Sequence, residues 1–210
     1  MSIYSRGLHF LFPPLCLHCE VRMVKFPPLF CSHCSLFFNL IEPSTRCPYC
    51  FTENENRMRC LACQKRGGVA LPTAAALDHI GPVFTFVRKM KWMPYLIEAG
   101  VSLLIAQWIQ LEWPLPDLII PYPEGLWMQR GTISARLAQG FARHENLSYQ
   151  PLLKRGERMG LKGRGKVEGK RVLVIMNLLE ASTPLEEVAE VLLKDNAEGV
   201  YALALARSIY

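Results

Sequence analysis

Eight cysteines stand in four Cys-x-x-Cys pairs near the start of the chain: Cys16/Cys19, Cys31/Cys34, Cys47/Cys50 and Cys60/Cys63. No cysteine occurs after Cys63. Two thiolates on a tight turn can both reach one tetrahedral Zn²⁺ at about 2.3 Å, so four pairs supply ligands for two closed sites. One pair alone would fit a redox dithiol as well. Four in series, separated by 11, 12 and 9 residues, point to metal, and the even pairing suits zinc better than an iron–sulfur cluster. The spacing permits tandem pairing, first with second and third with fourth, and it also permits a crossed arrangement. Closed four-sulfur sites leave no open coordination position, so two structural zinc ions are expected, folding a module too small to hold itself together otherwise. His18 and His33 lie inside the first two knuckles and are expected to be turn residues, because each site already has four sulfurs.

The 210 residues suit a cysteine module at 1–66 and one ordinary domain at 67–210, with Arg66-Gly67-Gly68 through Pro72 as the linker. Half the residues are hydrophobic, enough for a core. The longest apolar stretch, Ala99 to Leu111, is interrupted by Ser102, Gln107 and Gln110, so it reads as a buried helix and not a membrane span. The patch at Leu8 to Leu11 is short and is broken by Pro13-Pro14, so no signal peptide is expected. Reduced thiols held by metal fit a cytoplasmic protein with no membrane insertion.

The net charge of +6 is concentrated. Between Pro151 and Arg171 stand eight basic residues and two acidic ones, among five glycines. Such a stretch is expected to be mobile and to attract phosphate. Lys154, Arg155, Arg158, Lys162, Arg164 and Lys166 are the candidate nucleic-acid contacts. No aromatic residue interleaves them, so base stacking is not expected of this segment. The tryptophans Trp92, Trp108, Trp113 and Trp127 are expected in the core or an interface, and Asp78, His79 and His144 at ordinary surface positions.

Periodicity places the elements that must position these residues. Val83 to Val87 reads as a short strand or the start of a helix. Leu96 to Leu111 reads as a helix stopped by Trp113-Pro114-Leu115-Pro116. Asp117 to Pro121 is a buried-strand run. Thr132 to Arg143 is a helix with Ile133, Leu137 and Phe141 on one face. Val172 to Met176 is apolar on both faces, as a central parallel strand should be. Pro184, after Ser182 or Thr183 as cap, opens a helix over Leu185 to Lys194. Val200 to Ala206 is a further strand. This alternation implies an α/β domain with a mostly parallel sheet.

From about Leu11 to Arg207 the chain resembles the ComF family of bacterial competence proteins. The resemblance rests on the cysteine spacing, Pro121-Tyr122-Pro123 after a strand, Arg130-Gly131 before a helix, and the closing strand–turn–helix–strand. It implies an N-terminal double zinc ribbon followed by a type I phosphoribosyltransferase-like domain. It further implies a role in uptake and handling of transforming single-stranded DNA, with that DNA and a competence helicase-type protein as partners.

The family binds phosphoribosyl diphosphate with an apolar strand, an Asp-Asp pair and a Thr-Thr-Gly turn capping a helix. On this chain the acidic pair falls on Met176 and Asn177, and the turn on Glu180, Ala181 and Ser182, followed by Thr183. The family's Arg-Gly-Phe-Asn-Gln appears as Arg130-Gly131-Thr132-Ile133-Ser134. A carboxylate where phosphate should approach repels it by roughly 1 kcal/mol in water and several times that in a drier cleft. Magnesium and phosphoribosyl diphosphate are therefore not expected as cofactors, and no catalytic residue is assigned. Asn177, Ser182, Thr183, Arg130 and Lys91 are the remnant phosphate-binding candidates. The alternative is an active phosphoribosyltransferase in which Asn177 bonds a ribose hydroxyl and Ser182 and Thr183 hold the phosphate.

Overall fold

The computed structural model describes residues 14–23, 29–54, 58–65, 71–125 and 131–208. The cysteine module has two short helices, α1 (Ser32–Ser35) and α2 (Leu61–Lys65). After it come β1 (Thr73–Asp78), α3 (Gly81–Lys89), α4 (Pro94–Leu111), β2 (Leu118–Pro121), α5 (Ile133–His144) and β3 (Ser148–Tyr149). A hairpin of β4 (Leu153–Arg155) and β5 (Met159–Leu161) precedes β6 (Arg171–Leu179), α6 (Leu185–Lys194) and β7 (Gly199–Arg207).

Five of these strands form one sheet in the order β1-β7-β6-β2-β3. Every pairing in it is parallel. From β2 the chain crosses by α5 to β3 on one side; from β6 it crosses by α6 to β7 on the other. Right-handed crossovers running in opposite directions put their helices on opposite faces. Accordingly α5 packs on α4 and on β2 and β6, while α6 packs on β7 and the β4–β5 hairpin. The α4–α5 crossing is close because of two glycines. A methyl group on Gly140 would stand 2.6 Å from Val101 Cγ2, and one on Gly100 would run into Met90 and Leu137. Central β6 is buried from Val172 to Met176, as its unbroken apolar run requires.

The cysteine module shares this core. Phe30 stacks on Phe38 at 4.6 Å, and Phe38 meets Phe86 of α3 edge-on at 5.3 Å. Phe51, almost completely buried, belongs to the same apolar cluster as the sheet. The Ile41 N–H donates to Ala76 O at 2.9 Å, and the Thr73 N–H to Pro48 O at 3.0 Å, so the module covers the outer edge of β1.

Val83 to Val87 is helical, part of α3, the second of the two forms its pattern allowed. The elements depart from the sequence expectations at three places. The strand β6 runs on to Leu179, so Asn177 lies on the strand. Neither Ser182 nor Thr183 caps α6: Pro184 occupies the cap position, and no side chain caps it. The basic segment is a hairpin followed by a turn tied down by Asp195, whose carboxylate accepts from the N–H groups of Gly165 (2.7 Å) and Val167 (3.4 Å). Those charges therefore sit on defined backbone and not on the mobile loop their composition suggested. The linker region at 66–70 lies outside the described residues.

Candidate functional site

The thiols gather in two clusters, Cys16/Cys19/Cys31/Cys34 and Cys47/Cys50/Cys60/Cys63, each with its sulfurs within 4.8 Å of one another. The pairing is thus tandem. Cys19 and Cys31 sulfurs are 3.7 Å apart, and those of Cys50 and Cys60 are 3.6 Å apart. Four sulfurs at about 2.3 Å from a tetrahedral zinc stand about 3.8 Å from each other, so the clusters fit that ion. Neither His18 nor His33 belongs to either cluster. His18 Nδ1 instead lies 2.9 Å from Thr85 Oγ1 on α3.

The two clusters are built alike. Four residues after the first cysteine of each, Glu20 and Phe51 adopt left-handed backbone, at φ 59° and 57°. Each returns its N–H to that cysteine's carbonyl. Antiparallel bridges Leu15–Arg22 and Arg46–Glu53 close the two knuckles at matching positions. The Cys31 N–H donates to Cys16 sulfur and the Cys60 N–H to Cys47 sulfur, both at 3.4 Å. Burial raises the Cys16 and Cys47 thiols, but donated N–H groups outweigh it and hold them near about 6 and about 7. Burial pushes the Cys34 and Cys63 thiols well up. A cation is the group that would let all four sulfurs of a cluster ionise together.

A second site lies where the sheet order reverses. A cleft of about 330 Å³ opens beyond the carboxyl ends of β2 and β6, the position where open α/β sheets take their ligands. Tyr122 and Glu124 enter it from the segment after β2, and Arg155 from β4. Asn177, Glu180, Ser182 and Thr183 enter from the end of β6 and the turn before α6. Asn177, Ser182 and Thr183 thus come together here. Lys91 does not line the cleft; its ammonium stands 5.0 Å from the centroid of the Trp92 ring. Arg130 lies outside the described residues.

The cleft's hydrogen bonds turn inward. The Glu180 N–H donates to Thr183 Oγ1, and the Thr183 N–H to Glu180 O, both at 3.0 Å. Two amides that a phosphate could use are therefore engaged within the turn, while the Thr183 hydroxyl, which accepts here, keeps its own proton to donate. The Asn177 N–H donates to Ser134 Oγ at 2.9 Å, and the Ser134 N–H donates to Glu124 Oε1. The amino end of α6 carries its own acids, Glu186 and Glu187, which already answer the helix dipole. Burial raises the Tyr122 phenol, Arg155 lowers it, and Glu187 and Glu180 raise it further. Among the described lining residues, Arg155 is opposed by Glu124 and Glu180, a balance unfavourable to a phosphate.

Sequence reasoning counted Arg155 with the basic segment and passed over Glu124 and Ser134. Their signal was positional: Glu124 follows the Pro-x-Pro after β2, and Ser134 follows the Thr132 cap of α5, whose Oγ1 accepts from the Ala135 N–H. The remaining basic residues do not share one edge. Arg155 lines the cleft, and Lys154 and Arg158 share its β4–β5 hairpin, whereas the turn with Arg164 and Lys166 is tied to Asp195 at the far end of α6.

No protein-family model and no curated protein matches the chain. Among solved structures it is similar to the allosteric regulatory enzyme of purine biosynthesis, at 17% identity and a TM-score of 0.39, over 51% of this chain and 25% of that one. It is similar to the UMP synthase of Leishmania donovani at 12% identity and a TM-score of 0.40, over 58% and 24%. It is also similar to a purine phosphoribosyltransferase from Pyrococcus horikoshii at 18% identity and a TM-score of 0.37, over 55% and 75%. The chain covers about a quarter of the length of the first two. Among the described residues, no helix is long and apolar enough to cross a membrane.

Proposed function

We propose that this protein is a ComF-type cytoplasmic adaptor for incoming single-stranded DNA. In this reading two zinc ions fix the ribbon module onto a phosphoribosyltransferase-like domain whose transfer chemistry has been lost. The observation that carries the loss is the content of the switch-point cleft: Met176 is buried in the sheet, Asn177 replaces the second acid, and Glu180 lines the space a phosphate would enter. No acidic pair stands at 176–177, where magnesium and ribose hydroxyls would be managed, and the Glu180 and Thr183 N–H groups are bonded within the turn. The word competence rests on the sequence resemblance alone.

The zinc-loaded protein is expected to bind single-stranded DNA with an affinity that falls steeply with salt, as phosphate contacts by lysine and arginine require. Fluorescence anisotropy of a labelled oligothymidylate across a salt series tests this. Absent binding, or an affinity indifferent to salt, rejects the reading.

A further inference from the structure

From His79 to Ile97 the chain carries Arg88, Lys89 and Lys91 and no acidic residue. Three large aromatic side chains on this stretch face solvent: Phe84 is 49%, Trp92 73% and Tyr95 49% exposed. Of the two places expected for Trp92, core or interface, this exposure excludes the core. None of the three is needed for the core, because Val83, Phe86, Val87, Met90 and Leu96 already fill it. Phe84 and Arg88 are four apart on α3 and share a face. Lys91 lies over the Trp92 ring, so cation and π-face are presented together.

The fold puts this corner at the edge where the cleft opens. Gly100, early in α4, lies beside Leu205 near the end of β7. Trp113, just past α4, stacks 5.3 Å from Tyr201 near the start of β7. The helix therefore begins at the carboxyl edge of the sheet. Arg136 of α5 donates to Met90 O at 3.2 Å and ties the corner to the helix whose first turn contacts the cleft through Ser134.

We propose that the α3–α4 corner, with Phe84, Trp92 and Tyr95 as stacking faces and Arg88 and Lys91 as phosphate contacts, is a docking surface for single-stranded nucleic acid. The inference rests on the DNA-handling reading above and assigns it a surface. Unopposed positive charge fits a polyanion, and exposed rings between the charges fit unpaired bases. The hairpin residues Lys154, Arg155 and Arg158 can hold phosphates but have no ring to stack on a base.

The test compares oligothymidylate binding by the zinc-loaded full chain and three variants. Phe84→Ser/Trp92→Ser/Tyr95→Ser is expected to lose at least about tenfold in affinity with its salt slope unchanged, since stacking is not an ionic term. Arg88→Gln/Lys91→Gln is expected to lower the slope of log Kd against log salt by about 1.4, near 0.7 for each phosphate on a single strand. Lys154→Gln/Arg155→Gln/Arg158→Gln is expected to keep the stacking contribution. Wild-type binding that survives the triple aromatic change at full strength overturns the surface and leaves the function standing; no wild-type binding overturns both. Photocrosslinking a bromodeoxyuridine oligonucleotide to the unaltered protein decides the same point without a variant. Crosslinks at Trp92 or Tyr95 support the surface, and crosslinks confined to 154–166 reject it.

Discussion

Gln107, buried on α4, donates its side-chain amide to the carbonyl of Ile41 at 2.9 Å, joining the sheet domain to the cysteine module across 66 residues of chain. The N–H of the same Ile41 is held by Ala76 on the edge strand. Both backbone groups of one module residue are thus satisfied by the domain behind it, which makes the two parts one cooperative structure.

Gln107→Ala leaves the Ile41 carbonyl buried without its donor. The expected cost is about 1–3 kcal/mol of global stability, read from urea denaturation. Cleavage of the 36–46 segment by limited proteolysis should rise with it. An unchanged urea midpoint would mean that the two parts are held together elsewhere.

Gly140→Ala sets two effects against each other. Alanine improves helix propensity by about 1 kcal/mol. The new methyl group, however, would stand 2.6 Å from Val101 Cγ2, on a β-branched side chain with little rotamer freedom. Overpacking costs about 1–3 kcal/mol, so a net loss of stability is expected. A raised Tm would show that α4 and α5 can separate without penalty.

Each four-cysteine cluster should hold one metal ion independently. Elemental analysis of the protein as purified is expected to give two zinc per chain, and about one for either Cys34→Ser or Cys63→Ser. Phe30 and Phe51 belong to the sheet's own core, so removing metal with a chelator should lower the main melting transition as well as loosening the module. A melting curve indifferent to chelation contradicts the shared core.

Asp117 and Arg171 clamp the amino ends of β2 and β6. The Arg171 backbone N–H and its Nε both donate to Asp117 Oδ2, at 2.9 and 3.1 Å. The Arg171 side chain, then its N–H, hold the Asp117 carboxyl below the usual carboxylate range. A folded pKa depressed in this way contributes stability that is complete above the unfolded value of about 3.9 and is lost as pH falls through the lower folded value. Asp117→Asn should therefore flatten the acid limb of a urea-midpoint profile while leaving its neutral-to-alkaline shape alone. An identical acid limb in the variant rules out the clamp.

What the sequence showed and what it hid have physical causes. The strand β6 was plain because Val172 to Ile175 are branched or bulky and buried on both faces. The strand β1 was not, because Ala74, Ala75 and Ala76 favour helix on their own and become a strand only beside Ala202 to Ala206 of β7. The β4–β5 hairpin was hidden by its glycines and charges; it forms because Leu153, Met159 and Val167 bury apolar surface around α6, and Glu187 accepts from the Met159 N–H. The two four-cysteine groups were readable because a Cys-x-x-Cys knuckle fixes residue type and spacing. The tandem pairing was not, since spacing constrains each knuckle but not its partner. The cleft was half legible: Asn177, Ser182 and Thr183 followed from the resemblance, while Arg155 and Glu124 arrive from β4 and from the segment after β2, which converge only in the fold.

The central claim is that the switch-point cleft no longer takes phosphoribosyl diphosphate. Thermal denaturation of the zinc-loaded protein, with and without phosphoribosyl diphosphate and Mg²⁺ at millimolar excess, tests it most directly. The account expects the two melting temperatures to coincide, because Glu180 and Glu124 line the cleft and the turn amides of Glu180 and Thr183 are already bonded. A ligand-dependent rise in Tm, growing with concentration as linkage requires, would contradict it and restore the cleft as a working phosphoribosyl site.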